Sequence, residues 1–275
     1  MIFLSQRLAG QSFPNGVLIR SDKTWALATD DGDLRFGSVT SWLDHRKIFK
    51  IVFIRSIVGL IESIAFSMRI QRTGGRDTSR EFIRPLVYYL AVMVPVGLLV
   101  DRPGAGPSWP LHIGTQMLSF AIAFTFFTRA LPGAIWSYHG AEHKAVHAHE
   151  QNVDLNDLDA VAACSRVHNR CGTNLVTFLV GASMLRIPSG APLFAMTGTI
   201  VYTLLSISIA IEIFRLVTRT PHLALSRLLL APGRAMQRYV TTREPNRAQL
   251  AVAVRAVQAV LAADGLKLAP AKQTA

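Results

Sequence analysis

A mainly α-helical, polytopic membrane protein with a small N-terminal β-rich unit and a C-terminal amphipathic helix is the fold class that the sequence predicts, on three observations. Hydrophobic residues, 50% of the 275, are bunched into uncharged runs rather than spread evenly. Lys and Arg are distributed very unequally between the segments that separate those runs. Residues 1–47 instead carry short apolar stretches punctuated by turn formers.

Taken in order, residues 1–47 are expected to form a β-rich cytoplasmic unit. Val17–Arg20 and Trp25–Thr29 are its strand candidates, and Asp31-Gly32 is a hairpin turn between apolar runs. The opening residues lack the long apolar core and small-residue cleavage site of a signal peptide. Ile48–Met68 approaches the ~20 residues of a membrane span, yet it contains Lys50, Arg55 and Glu62. Arg55, Gly59 and Glu62 recur at i, i+4 and i+7, so residues 48–70 read as an amphipathic helix at the membrane interface or packed on protein. The polar, glycine-containing stretch Gln71–Arg84 is a cytoplasmic linker. Residues 86–217 form the membrane domain, with about four spans: Leu86–Val100, Ile113–Phe127, Leu175–Leu185 and Pro192–Ile211, none of which carries a charge. Phe194–Val217 is the strongest run, with Glu212 near its end beside Arg215. Residues 218–275 form a cytoplasmic helical segment, broken at Pro232-Gly233 and continuing as a helix from about Arg247 to Ala263. Leu250, Val254, Val257 and Leu261 there repeat at i, i+4, i+7 and i+11, so one face must dock.

Charge orients this topology. Of the 29 Lys and Arg residues, 27 fall in segments 1–85, 128–174 and 215–275, while Arg102 and Arg186 alone occupy the intervening loops. The positive-inside rule therefore places both termini and the His-rich loop 129–174 on the cytoplasmic side of a bacterial inner membrane. The net charge of +12 has the same origin. No aromatic-interleaved basic patch or recognition motif accompanies it, which argues against nucleic acid as a partner.

The chemistry is concentrated at Tyr138–Lys144. His139 and His143 bracket Glu142 in a His-x-x-Glu-His arrangement. On a helix the two imidazoles fall about 40° apart and converge on one ion, with Glu142 about 60° to the other side of His139, placed to take a proton from an attacking water. His147 and Glu150 lie about 80° and 20° from His139 on the same helix, and His149 falls near Glu142. One helix thus carries four of the eight histidines.

Cys164, His168 and Cys171 recur at i, i+4 and i+7 and would share a face if the helix continued. Two cysteines exclude a disulfide framework beyond one bridge, and no second Cys-x-x-Cys pair completes a four-cysteine site. Cys164 reads as an inert buried thiol, whereas His168 and Cys171 are candidate ligands. Asp154, Asn156, Asp157 and Asp159 are turn and cap formers. They predict a reversal over Gln151–Ala163 and a helix start near Asp157.

Tyr138–Lys144, Arg170-Cys171-Gly172-Thr173 and Thr241–Pro245 together resemble the YqhQ-like bacterial membrane proteins, a family of unknown function described as predicted metal-dependent enzymes. The resemblance covers most of the chain. Gly10-Gln11, Gly16-Val17 and Arg20 follow the family's N-terminal motif, and Arg55, Leu60, Glu62 and Ser63 its next block. The chain departs from the pattern at Asn15, where the family usually carries a glutamate.

The expected function is a zinc-type, metal-dependent membrane hydrolase. His139, His143 and His168 are its leading ligands for a divalent metal, Glu142 is its base, and Glu150, His147 and Cys171 are further donors. Arg55 and Glu62 are candidates for orienting substrate. The expected partners are the lipid bilayer, a membrane-associated substrate of unknown identity, and further copies of the chain in an oligomer. The alternative is a non-enzymatic membrane protein whose metal site is structural, transporting or sensing.

Overall fold

A computed structural model describes residues 8–41, 49, 51–73, 109–183 and 192–265. The strands are β1 (Ala9–Phe13), β2 (Gly16–Arg20), β3 (Thr24–Thr29) and β4 (Leu34–Ser38). The helices are α1 (Ile54–Thr73), α2 (Trp109–Ala130), α3 (Gly133–Glu150), α4 (Leu158–Ala162), α5 (Gly172–Ser183), α6 (Pro192–Arg219), α7 (Ala224–Met236) and α8 (Arg247–Ala263), with a π-helical turn at Gln237–Thr241. The protein is therefore mainly helical with an N-terminal antiparallel sheet. The chain divides into two compact units, one from Met1–Thr40, Pro132–Thr173 and Arg234–Ala275, the other from Ser41–Leu131 and Asn174–Gly233.

In the first unit the strands follow one another in the order β1-β2-β3-β4, all antiparallel. Pro14-Asn15 turns β1 into β2, and Gly32, at φ +94°, supplies the left-handed residue of the β3–β4 turn. Helix α3 packs on β1 and β2, and α8 packs on β2, β3 and α3. The core forms where these faces meet, from Val17, Ile19, Ala26 and Ala28 of the sheet, Ala141, Ala145 and Ala148 of α3, and the apolar face of α8. Alanines at the α3 contact let helix and sheet approach closely. The repeat Leu250, Val254, Val257, Leu261 is buried as its spacing requires. Asn246 caps α8, accepting from the Gln249 amide while the Gln249 side chain returns to the Asn246 amide.

One element of this unit is missed by the sequence reading and one expectation is corrected. Strand β1 lacks the β-branched pattern that marks β2, and the sequence does not predict it. Cys164–Cys171 is not a helix: α4 ends at Ala162, and the segment runs as a loop until α5 starts at Gly172. Asp157 does cap α4, accepting from the Asp159 and Ala160 amides.

In the second unit α1 packs on α6. Arg55 Nε and Nη2 donate to the two carboxylate oxygens of Glu212 at 2.9 and 2.5 Å, and the Ser56 hydroxyl donates to the same carboxylate at 2.6 Å. Glu62, also buried, accepts from the Ser41 hydroxyl at 3.1 Å. The Arg55 end of the polar face read in the sequence is thus a helix–helix contact, while its Glu62 end meets Ser41, which lies outside the helices. Helix α7 runs through Pro232-Gly233, where the sequence predicts a break. Gly233 lies against Asn174, where a Cβ would come within 2.1 Å of the side-chain oxygen, and this close packing accompanies the uninterrupted helix.

Ile113–Phe127 lies within α2, Leu175–Leu185 overlaps α5, Pro192–Ile211 lies within α6, and Leu86–Val100 is outside the described residues. Among the described residues no single helix is long and apolar enough to cross a membrane.

Candidate metal centre

Helix α3 presents His139, His143 and His147 at successive turns, and each imidazole is held from behind by a backbone carbonyl. His139 Nδ1 donates to Thr241 O at 2.6 Å, His143 Nδ1 to Arg166 O at 2.6 Å and His147 Nδ1 to Ser165 O at 2.7 Å. A carbonyl oxygen only accepts, so Nδ1 carries a proton in each ring and Nε2 is the nitrogen left for another partner. This is the arrangement that orients ligating histidines.

Cys171 supplies the third donor. Its Sγ lies 3.2 Å from His139 Nε2, and the ligating atoms of His139, His143 and Cys171 all fall within 4.8 Å of one another. Cys171 precedes the first residue of α5, and its sulfur accepts from the Thr173 amide at 3.4 Å. Burial pushes the Cys171 thiol up, but the His143 imidazole and then the Thr173 hydroxyl and amide outweigh it and bring the thiol below its ordinary value. Burial also pushes His143 down, towards the neutral form that binds metal. Cys164 takes no part: it is buried in the core, its thiol directed to Ala160 O.

Glu142 lies beside this triad. Burial pushes its carboxyl up to about 8, with a smaller opposing influence from His139 and a reinforcing one from Cys171. Its cover is Gly10 of β1, where a Cβ would sit 2.4 Å from Glu142 Oε1, so only glycine lets the edge strand close over the carboxyl. Gly10, Arg20, Glu142, His139, His143 and Cys171 are among the residues lining a cavity of about 290 Å³.

His168 also lines this cavity, but its closer company is a second group. The ligating atoms of His147, Glu150 and His168 lie within 4.8 Å of one another. Glu150 Oε2 faces His168 Nε2 at 3.1 Å and Oε1 accepts from Arg170. Burial alone would raise the Glu150 carboxyl, but His168 and Arg170 overcome it and bring it down to about 2. The rings of His143 and His168, 5.7 Å apart between centroids, join the two groups.

The loop behind the histidines is clamped by the segment after α7. Arg166 Nη1 donates to Thr242 O at 2.7 Å and Arg238 O at 2.9 Å, and Gln237 Oε1 accepts from the His168 amide at 2.7 Å. Buried Lys144 bridges the Ala162 carbonyl and Glu244. Gly140 makes room for this segment, since a Cβ there would meet Arg243 O at 2.1 Å. Thr241–Pro245, read in the sequence only as a motif, is therefore the strap that aims His139. The carbonyls of Thr241, Arg166 and Ser165 have no signature in sequence, because any residue provides a carbonyl. Gly10 and Gly140 were the available signals.

Arg55 and Glu62 belong to the second unit. Asn15 lies in the β1–β2 turn and does not line the cavity. At about 3.3 Å per strand residue it stands roughly 17 Å along the chain from Gly10.

A divalent ion fits the residues present: two Nε2 atoms and a thiol of lowered proton affinity form a zinc-type donor set, and three protein donors leave a fourth position open.

The chain is similar to a Bacillus subtilis (strain 168) protein described as "Uncharacterized protein YqhQ", with 27% identity over 154 residues. That match covers 54% of this chain and 48% of the relative, so the chain spans about half the length of the curated relative it matches. No solved structure matches. Residues 50–263 match the model of a family described as "Protein of unknown function (DUF1385)", and on that match, which takes in α1, α3, the strap and α8, the chain belongs to the DUF1385 family.

Proposed function

We propose that this protein is a metal-dependent hydrolase working at a membrane surface. The observation that carries the reading is the convergence of ring nitrogens of His139 and His143 with Cys171 Sγ beside a buried carboxyl, Glu142, on one cavity. His139, His143 and Cys171 hold the ion. The ion, zinc by donor type, supplies Lewis acidity towards a scissile carbonyl or phosphoryl group and acidifies an attacking water. Glu142 takes the water proton and returns it to the leaving group. Its raised proton affinity suits a base working near neutral pH. Gly10 and the walls of the cavity keep bulk water from the carboxyl.

The membrane part of the proposal rests on two features. Among the described residues, all of the exposed large hydrophobic side chains except Leu34, Phe36, Tyr239 and Val240 belong to the second unit, including Leu118, Ile122 and Phe126 of α2 and Leu225, Leu228 and Leu229 of α7. Apolar surface of that extent asks for lipid or another apolar cover. The asymmetry of Lys and Arg along the chain supports a cytoplasmic side for the histidine helix and both termini. A peptide bond in a membrane protein, a lipid head-group and an isoprenoid-linked molecule are the substrate classes that meet such a site.

Hydrolysis is testable without knowing the substrate. Membranes incubated with the purified protein in oxygen-18 water should yield products labelled by the wild type and not by Glu142→Gln, with equal metal content in the two proteins. Equal labelling by the two metal-loaded proteins would overturn the role of Glu142. Absence of labelled product from the metal-loaded wild type would overturn the enzymatic reading.

A further inference from the structure

The geometry points to a second metal site, formed by His147, Glu150 and His168 and separate from the His139–His143–Cys171 centre. It does not depend on the hydrolase reading, because it stands on different donor atoms.

Three features carry it. The ligating atoms of the three residues lie within 4.8 Å of one another. With metal–ligand distances of ~2.0–2.2 Å, tetrahedral donors sit roughly 3.5 Å apart, so contraction by about 1 Å encloses an ion. The donors are also already aimed. His147 Nδ1 donates to Ser165 O at 2.7 Å, which leaves Nε2 as the lone-pair nitrogen, and its ring centroid lies 4.5 Å from that of His168. Glu150 is oriented by Arg170, which holds Oε1 and leaves Oε2 turned to His168 Nε2 at 3.1 Å. A carboxylate gripped at one oxygen by a guanidinium and offering the other is a familiar ligand with an outer partner.

The third feature is the proton between His168 and Glu150. In the metal-free protein Nε2–H of His168 donates to Glu150 Oε2. An ion takes the place of that proton. It binds Nε2 and Oε2 together, and the proton moves to His168 Nδ1, so the ring stays neutral. The Arg170 amide, a long 3.3 Å from Nδ1, yields its contact. The Gln237 side chain keeps the His168 backbone in place meanwhile, through the 2.7 Å bond from the His168 amide.

Donor chemistry separates the two sites. The first contains a thiol and the second contains only nitrogen and oxygen, which suits zinc, manganese, iron, cobalt or nickel. Cobalt(II) reports this directly, because a thiolate ligand adds a sulfur-to-cobalt charge-transfer band and imidazole and carboxylate do not.

The test is cobalt(II) titration of the untagged, metal-free full chain, with bound metal measured by elemental analysis after dialysis. The wild type should take up two equivalents, only one of which raises the charge-transfer band. His147→Ala should lose one equivalent and keep the band. Cys171→Ser should lose the band and keep one equivalent. Glu150→Gln, which preserves side-chain size, should repeat the His147→Ala result. One equivalent with the full band in both wild type and His147→Ala would overturn the second site and leave the first standing. Loss of both equivalents in His147→Ala, with the fold verified by circular dichroism, would also overturn it, since the donors would then belong to one centre. One equivalent without a band, abolished by His147→Ala, would support the second site and overturn the first.

Discussion

The buried carboxyl of Glu142 makes the metal-free protein's stability depend on pH in a way that a single substitution removes. Burial raises this group from an ordinary 4.5 to about 8 in the folded chain. Below pH 4.5 the carboxyl is protonated in both folded and unfolded states and costs nothing. Between pH 4.5 and about 8 the unfolded chain ionises while the folded one keeps its proton, so stability falls by about 1.4 kcal/mol per pH unit. Above pH 8 both are ionised and the loss levels off, at about 5 kcal/mol in all. Glu142→Gln carries no titrating proton, so it should be more stable than wild type by a margin that grows across this window. Bound metal should erase the difference, because a cation beside the carboxyl favours its charged form. Cys164 reports on the right unit, since it is buried in the same core as α3. Its alkylation in a urea series, read by mass spectrometry and normalised to the unfolded chain at each pH, distinguishes it from Cys171, which lies on a different tryptic peptide. Parallel pH profiles for the metal-free wild type and Glu142→Gln would refute the reasoning.

Other substitutions follow from the close contacts. Gly140→Ala drives a Cβ into Arg243 O and pushes the strap away from His139, so metal affinity should fall about 10- to 100-fold, measurable by competition with a chelating dye. Gly10→Ala forces Glu142 aside while leaving all three donors untouched, so oxygen-18 labelling should fall about 10-fold or more with metal affinity unchanged. His139→Ala with His143→Ala should abolish the cobalt charge-transfer band and leave membrane association intact. The Glu150 carboxyl is held at about 2 by His168 and Arg170, so its contribution to stability is full above pH 4.5 and lost as pH falls towards 2. Glu150→Gln should flatten the acid limb of the unfolding profile in that window.

The parts of the fold that were legible in the sequence are those where local chemistry and tertiary packing agree. Strands β2 and β3 carry short apolar runs, with the Asp31-Gly32 turn after β3, and α8 carries both an apolar stripe and its own cap, so each reads correctly in isolation. Strand β1 does not. Ala9-Gly10-Gln11-Ser12-Phe13 has little strand propensity, and what holds it is pairing with β2 and the fit of Gly10 over Glu142, both set by residues distant in sequence. The loop Cys164–Cys171 misleads for a related reason. Its i, i+4, i+7 pattern is helical, but the carbonyls of Ser165 and Arg166 are taken by His147 and His143, and Arg166 itself is tied to Thr242 and Arg238. A backbone committed to side chains across the unit does not supply a helical ladder.

The same commitment decides which donor joins His139 and His143. Spacing along the chain treats His168 and Cys171 alike, and the sequence reading places His168 among the leading ligands and Cys171 among the further donors. The loop distinguishes them. His143 pulls on Arg166 O and Gln237 holds the His168 amide, which fixes the loop so that His168 falls beside His147 and Glu150, one turn further along α3. Cys171 then arrives at the start of α5, where the Thr173 amide and hydroxyl meet the sulfur and the two imidazoles close on it. The helix start favours a thiolate there and the half-buried Glu150 carboxylate, held by Arg170, favours an imidazole at His168, so each residue occupies the position whose electrostatics suit its chemistry. Exchanging them by His168→Cys and Cys171→His in one chain would keep the composition and remove that match. Such a protein should bind cobalt more weakly than wild type at both sites, and affinities equal to wild type would show that donor count, rather than placement, governs the centre.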